Sequence, residues 1–511
     1  MVIKKMGLAS MNKYTILFYF ILLFSACFIL LGQFNHTVPA ITISRNSPSL
    51  IKPTKDSLNT TKFPLKHSKR NAGSSSKTAE FSLICSSPTN KNQTCPRNNC
   101  PTRMEDYDQN KLISSIKSCP DYFRWIHEDL KPWKIKGITK EMVEAGKTLA
   151  NFRVVIVDGR VYVEKYKKCY QTRDEFTIWG ILQMLRLYPG KLPDIDLMFE
   201  CNDYPVIKKS DYKAAKSTNP PVPMFHYCGD DHHFDIPFPD WSFWGWHEIN
   251  IKPWEQELED IKEGNKKVKW MERVSNAYWK GNLQMGRRIY LSRCNSTKSW
   301  NTHIYQQHWP LEARHGFKQS NVADQCTHRY KIYMEGKTWS VSEKYIQACD
   351  SMLLLVKAEY YEFFSRSLLP LKHYWPINPS NLCQSIKFAV NWGNKHPVQA
   401  EEIGKAGSKF IMEELKMTYI YDYMFHLLKE YGKLLKYKPS VPSGCLQVCS
   451  ETMACNASFK NKFWKLNSYV KSPSKTSPCS IPPAYDPHHL QTYLTTKDEL
   501  LRDVEGLGRV G

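Results

Sequence analysis

The chain has 511 residues, with 71 Lys and Arg against 49 Asp and Glu and a formal net charge of +22. Its first 110 residues hold 14 basic and 5 acidic side chains, a net +9, which leaves +13 on residues 111–511. Those remaining residues are too many for one simple core and suit two lobes. The positive charge is compatible with an anionic small molecule, with acidic polysaccharide or with plain solubility, and the orientation of the N-terminus argues against nucleic acid.

In chain order, a tail at 1–13 carries Lys4, Lys5 and Lys13, and Tyr14 to Gly32 is a run of nineteen uncharged residues, mostly Leu, Ile and Phe. That is long enough to cross a hydrocarbon core as a helix. The next basic residue is Arg45, so the positive-inside rule leaves the tail in the cytoplasm and everything after Gly32 in the lumen or outside. The competing reading is a cleaved signal peptide. The run exceeds a usual signal core and no small-x-small site follows it cleanly, so an uncleaved signal-anchor at 14–32 is the expectation.

Glycosylation and cysteine chemistry agree with that orientation. Asn-x-Ser/Thr sequons stand at Asn35, Asn59, Asn92, Asn295 and Asn456, and fifteen of the sixteen cysteines follow the anchor. In an oxidising compartment this predicts several disulfides. No Cys-x-x-Cys occurs, and the cluster Cys445, Cys449, Cys455 has no neighbouring His, which favours disulfides over a metal site. Residues 33–110, rich in Ser, Thr, Asn, Lys and Pro and without a sustained apolar period, read as a luminal stem, mostly disordered.

The luminal part is α/β in pattern. Val154 to Val163 is two β-branched runs around Asp158-Gly159, a hairpin signal. Asp174 is placed to cap a helix through Phe176, Trp179, Leu182 and Leu185 to Tyr188, ended by Pro189-Gly190. The apolar run Ile195, Leu197, Met198, Phe199 reads as a buried strand, and Pro205 biases Tyr204 away from helix. The strand therefore delivers Asp203 onto a loop at its end, where chemistry is placed in open α/β sheets; a plain turn role is the alternative.

Asp230-Asp231-His232-His233 has metal-ligand types, but four consecutive residues cannot all point at one ion, and a polar loop explains them. The band Phe238 to Trp246 holds three tryptophans in six residues, Trp241, Trp244 and Trp246. Its aromatic faces, Trp241, Phe243 and Trp244 among them, suit either stacked sugar rings or packing between lobes. Beyond it the pattern predicts a charged helix from Trp254 to Val274, a strand from Ser275 to Lys280, a helix from Ser342 to Ala348 and a strand from Met352 to Val356. Three helices follow, Ser380 to Trp392, Val398 to Leu415 and Tyr419 to Tyr437. Strands alternating with helices argue for parallel sheets and doubly wound lobes. The strand leaving into Gly281-Asn282, with Arg287-Arg288 beyond, has the parts that hold phosphate, a glycine backbone and guanidinium forks, and also those of a surface hairpin.

Taken together, the landmarks Glu128-Asp129-Leu130 with Pro132-Trp133, Leu192 to Asp196, Asn202-Asp203-Tyr204-Pro205, Pro239 to Trp244, Ala277 to Gly281, Cys326 with Tyr330-Lys331 and Cys349, and Glu359 to Phe364 resemble glycosyltransferase family 90. This is the family of the Rumi-type protein O-glucosyltransferases and the capsule-associated xylosyltransferases. The likeness spans about Cys119 to Tyr437, and Ser340 to Ile346 is most similar to its plant branch.

The resemblance implies an α/β, GT-B-like fold of two Rossmann-type lobes behind the transmembrane helix and stem. The catalytic domain is expected at 111–437, with its acceptor side about 111–250 and its donor side about 251–437, followed by a Cys-containing C-terminal extension at 438–511. It implies an inverting transfer of xylose or glucose from a UDP-sugar to a hydroxyl of a glycan, a cell-wall polysaccharide if the plant-branch likeness holds, or of a glycoprotein, with no cofactor and no obligatory metal. Asp203 matches the family's base. Gly281, Asn282 and Arg287 or Arg288 match its donor turn, although Lys280-Gly281-Asn282 departs from the usual Arg-Gly-Ser, and Gly336, Ser340 and Lys344 match its second donor segment. Animal members carry an arginine at the place of Ser342, which leaves Lys344 or one of the two earlier arginines to serve the diphosphate.

Trp241, Phe243 and Trp244 are the acceptor-side candidates. Cys326 and Cys349 match a family disulfide, and Asn59, Asn92, Asn295 and Asn456 are the glycosylation candidates. Asp194-Ile195-Asp196 imitates a metal-binding Asp-x-Asp, but it begins a strand and the family does not use it so. The expected setting is the Golgi membrane, single-pass type II with a luminal catalytic domain. The expected partners are the UDP-sugar, the acceptor and the bilayer, and not nucleic acid. A non-catalytic carbohydrate-binding or scaffold protein on the same fold is the alternative.

Overall fold

The computed structural model describes residues 81–86, 93–96, 101–103, 117–212 and 220–510. The tail, the anchor at 14–32, most of the stem and the sequons at Asn35, Asn59 and Asn92 lie outside these residues. Among the described residues no helix is long and apolar enough to cross a membrane.

Two sheets organise the chain. The first contains β1 (Phe152–Val157), β2 (Arg160–Lys165), β3 (Ile195–Phe199), β4 (Phe225–His226), β5 (Ile236–Pro237) and β11 (Leu446–Val448), in the order β11-β2-β1-β3-β4-β5. It is mixed rather than parallel throughout: β11, β2, β1 and β3 pair antiparallel, then β3, β4 and β5 parallel. The cause is local. Asp158 and Gly159 both take positive φ, 52° and 66°, as a two-residue hairpin turn requires, and such a turn can only join antiparallel neighbours.

The second sheet contains β6 (Val274–Gly281), β7 (Thr302–Gln306), β8 (His328–Tyr333), β9 (Met352–Val356) and β10 (Trp375–Ile377). Its order is β10-β9-β8-β6-β7, and every pairing is parallel. From β6 the chain steps to one side for β7 and then crosses to the other for β8. The strand order therefore reverses between β6 and β8, and ligands bind outside the carboxyl ends of the strands at such a point.

The strands are apolar because both faces are covered. Ile195, Leu197, Met198 and Phe199 of β3 are all fully buried, each adding roughly 2 kcal/mol of burial. The helix Met417–Leu434 packs on β3 of the first sheet and against the helix Arg173–Leu187, and Leu382–Lys395 and Pro397–Glu414 pack on the second. Helix ends differ from the sequence pattern where local backbone wins. The charged helix stops at Lys267, because Val268 is extended with φ −136° and ψ 121°, and the last of the three stops at Leu434, where Lys436 N donates to Ile138 O. Asp174 lies inside the first turn of its helix and pairs with Lys165 at 2.6 Å, the N-cap being Thr172.

The C-terminal segment is integral to the first sheet. It supplies β11, and the disulfides Cys85–Cys455, Cys95–Cys449 and Cys119–Cys479 close separations of more than 350 residues. Loop closures of that length remove much of the unfolded chain's freedom. Phe81 is buried and its N–H donates to Lys471 O at 2.6 Å, so at this residue, and at Cys85 and Cys95, the segment read as stem is tied to the C-terminal segment. A last helix, Pro487–Val510, returns along the second sheet's carboxyl edge. Cys169–Cys201, Cys294–Cys383 and the expected Cys326–Cys349 complete the disulfides among the described residues.

Candidate active site

Asp203 sits four residues beyond β3 on a loop fixed at every step. Cys201 is cross-linked to Cys169, Asn202 N donates to Glu200 Oε2 at 2.9 Å, and Val206 N and Ile207 N donate to Asp235 at 3.0 and 2.7 Å. The Asp203 side chain is 29% exposed, so solvent and ligand reach it. Arg173, the first residue of its helix, holds Asp203 Oδ1 through Nη2 at 3.0 Å and Cys201 O through Nη1 at 2.9 Å. The guanidinium lies over the Trp241 ring at 4.4 Å. Sequence pattern gave no sign of Arg173: one basic residue at a helix start carries no signal until the fold brings it beside the loop.

Across the cleft stand the loops after β6 and β8, at the point where strand order reverses. Gly286, with φ 57°, presses against Gly336 O so closely that a Cβ there would fall 1.8 Å from that oxygen; only glycine fits. Arg288 donates to Met334 O, Glu335 O and Ser340 Oγ at 3.1, 3.2 and 2.8 Å, so it ties the two loops together. Burial lowers its pKa from the usual arginine range. Arg287 pairs with Glu359. Asn282 Oδ1 accepts Gln284 N at 2.9 Å and so shapes the turn, and Gly281 lies against the Trp279 indole. Ser340 N donates to Tyr333 OH at 3.0 Å. Ser340 Oγ reaches Ser342 N only at 3.5 Å, and Val341 rather than a serine occupies the N-cap of helix Ser342–Gln347.

Between these loops and Tyr204 opens a cavity of ≈ 300 Å³, lined by Gly286, Arg287, Gly336, Lys337 and Tyr360 among others. A larger one of ≈ 900 Å³ adjoins it, sharing Lys357, Glu359, Tyr360 and Pro379 and walled by Lys497, Leu501 and Val504 of the last helix. The loop after β8 also crosses to the first sheet. Lys337 Nζ stands 3.7 Å from Asp203 Oδ2, and Thr338 Oγ1 donates to Asp203 O at 2.6 Å. Trp339 is buried among His226, Tyr227 and Trp241. None of Lys337, Thr338 and Trp339 was foreseen, although all three lie between the expected Gly336 and Ser340.

Lys344 does not reach the cavity. It is fully buried, its ammonium 2.9 Å from Asp240 Oδ2 and 4.5 Å from the Phe243 ring centroid. Desolvation works against the charge, but Asp240 beside it outweighs this and raises the pKa above the usual lysine range. The aromatic band is likewise buried. Trp241, Phe243 and Trp244 are at most 1% exposed, Trp244 donating to Tyr421 OH at 3.1 Å and packing on Gly180. These four side chains are packing elements between the sheets, because Asp240 turns the band inward by capping Ser242 N at 2.7 Å.

The acidic pairs weighed as metal ligands are committed elsewhere. Asp196 takes Arg153 at 2.7 and 2.6 Å and Tyr437 OH at 2.9 Å, and Asp194 accepts Asp158 N at 2.8 Å. Asp230 holds His233 Nδ1 at 2.8 Å and His232 N at 2.7 Å. Cys119, His426 and Cys479 also converge, but the two sulfurs are joined to each other. Asn295 and Asn456, the sequons within the described residues, are both exposed.

A family model described as Glycosyl transferase family 90 matches residues 114–507. The O-glucosyltransferase rumi of Drosophila melanogaster is 28% identical over 347 residues, covering 65% of this chain and 82% of the relative. Protein O-glucosyltransferase 1 of Bos taurus is 27% identical over 351 residues, covering 65% and 85%. An O-glucosyltransferase rumi homolog of Aedes aegypti is 27% identical over 336 residues, covering 63% and 80%.

Proposed function

Since the chain belongs to glycosyl transferase family 90 and is a glycosyltransferase, we propose that it moves glucose or xylose from a UDP-sugar to an acceptor hydroxyl with inversion, Asp203 acting as the base. One observation carries the reading: a solvent-reached carboxylate, held by Arg173, stands 3.7 Å from Lys337, which with Tyr204 lines a cation-bearing cavity at the carboxyl ends of a parallel sheet. In the transfer, Asp203 takes the acceptor's proton as that oxygen bonds to the anomeric carbon. The bond from that carbon to the β-phosphate oxygen breaks, and the diphosphate leaves with the electron pair. Lys337 and Lys357 of the cavity wall meet its charge, and this reading gives a metal no part. The adjoining larger cavity gives the nucleoside room.

The two sheets are read as the two lobes of a GT-B-like fold, with 111–250 as acceptor side and 251–437 as donor side. The relatives' names support glucose and a protein hydroxyl; the likeness to the plant branch supports a cell-wall polysaccharide as acceptor. We place the protein in the Golgi membrane through the segment 14–32, with the catalytic part luminal. A non-catalytic binding protein is not favoured. The test is a screen of UDP-glucose and UDP-xylose with the purified protein, scoring release of UDP. Hydrolysis of one donor above the other names the sugar, and no hydrolysis of any UDP-sugar sinks the reading.

A further inference from the structure

Of the three cations expected to serve the diphosphate, none is free for it. Lys344 is sealed against Asp240, Arg288 is spent on two carbonyls and a serine hydroxyl, and Arg287 is paired with Glu359. The same cavity is lined by Lys337, whose side chain is 52% exposed and whose ammonium is 3.7 Å from Asp203 Oδ2. At that distance the contact is loose, and between groups of such exposure an ion pair is weak.

We propose that Lys337 is a two-position cation that lies against Asp203 while the donor site is empty and turns to the diphosphate when it is filled, so that donor binding uncovers the base. The inference rests on the UDP-sugar reading above. Its physical basis is the division of the two carboxylate oxygens. Oδ1 is engaged by Arg173, whose guanidinium is anchored on Cys201 O and the Trp241 ring. Oδ2 is left to receive the acceptor's proton, and Lys337 is the cation beside it. The ammonium fills the space an acceptor hydroxyl needs at that oxygen.

The backbone at this place does not have to move. Thr338 is bonded to Asp203 O and Trp339 is packed into the aromatic cluster of the first sheet, so both neighbours on the C-terminal side are pinned. Gly336 on the other side is wedged against Gly286. Lys337 is thus a long, exposed side chain on a fixed backbone, within reach of both the base and the cavity wall. Its four-carbon stem lets the charge swing by rotamer change alone, on a timescale far shorter than catalysis. The consequence is an order of events, donor first and acceptor second.

The proposal predicts a coupling that a merely structural lysine does not show. Each contact competes for the same ammonium, so removing Asp203's charge releases Lys337 to the diphosphate. UDP binding to the full chain is measured by calorimetry for wild type, Asp203→Asn, Lys337→Ala and the double variant, with uridine as the phosphate-free control. Lys337→Ala is expected to weaken UDP about tenfold, the loss of one charge-assisted contact, and to leave uridine unchanged. Asp203→Asn is expected to tighten UDP about threefold, and that gain should vanish in the Lys337→Ala background. Unchanged UDP affinity in Lys337→Ala overturns the proposal, as does an Asp203→Asn gain that survives without Lys337, or no gain at all. A wild-type protein that binds no UDP overturns this and the donor assignment together. One that binds and hydrolyses the donor, while the coupling is absent, overturns this proposal alone. Lys337 is surface-exposed, and equal melting temperatures confirm that the variants are folded.

Discussion

Arg173 grips Asp203 and the backbone two residues before it with the same guanidinium, Nη2 to Asp203 Oδ1 at 3.0 Å and Nη1 to Cys201 O at 2.9 Å. The carboxylate is therefore aimed by a fork whose plane is set by the Trp241 ring beneath it. Arginine offers this geometry and lysine does not.

Replacing Arg173 by Gln should lower the rate of donor turnover by ten- to a hundredfold, about 1.4–2.7 kcal/mol in the barrier, while UDP affinity stays within twofold. Arg173→Lys should restore little, since a point charge does not fix the carboxylate's plane. Turnover and UDP calorimetry on the same preparations check both statements; an equal loss in each would make Arg173 a donor ligand instead.

Asp203→Asn should abolish transfer and donor hydrolysis, at least about a thousandfold, because the amide cannot take the acceptor's proton. It should not lose UDP binding. Transfer persisting near the wild-type rate would remove Asp203 from the mechanism.

The Lys344–Asp240 pair is wholly buried, so Lys344→Ala leaves a carboxylate without its partner and should cost about 3 kcal/mol of stability. The double change Lys344→Met with Asp240→Asn should cost less than either single loss. Denaturant midpoints give the comparison, and unchanged UDP affinity per folded molecule separates this role from donor binding.

Glu257, 2% exposed on the helix Trp254–Lys267, has its carboxyl pushed up to about 7 by burial, only partly offset by the N–H of Lys252. The folded state thus binds a proton that the unfolded chain, titrating near 4.5, has already lost. The stability this group contributes is fully present below about pH 4.5 and is lost as pH rises through 7. Glu257→Gln should therefore gain on wild type between pH 5 and 8, by on the order of 2 kcal/mol. Thermal unfolding of both proteins across that range is the measurement, and a pH-independent difference would refute the assignment.

A chelator should leave donor hydrolysis unchanged if protein cations alone meet the diphosphate. Loss of activity with EDTA, restored by a divalent ion, would require a metal at this site.

Much of this was legible before the fold. The β3 run and Pro205 located the loop of Asp203, Asp158-Gly159 dictated the hairpin, and the Met352–Val356 strand appears with the expected ends. Cys326 and Cys349 are bonded as the resemblance implied. What pattern could not separate was a tryptophan offered to a ligand from one packed between sheets. Trp241, Phe243 and Trp244 have the same local sequence in both cases, and Asp240 capping Ser242 decides the matter through a contact that needs Lys344 from a hundred residues away. Lys344 was misplaced for the same reason, since its charge marks it as a phosphate ligand only if its direction is known.

By itself the sequence determined the alternation of strands and helices, the family, the loop that bears the carboxylate and the presence of disulfides, because periodicity, turn chemistry and motif spacing are local properties of the chain. The tertiary structure alone decided which charges meet. Arg173, Lys337 and Thr338 reach Asp203 from a helix start and from a loop of the other sheet, and the C-terminal strand closes the first sheet through disulfides spanning more than 350 residues. Ion pairing falls off within a few ångströms, so the partners of a charge are set by packing in space and leave no trace in spacing along the chain.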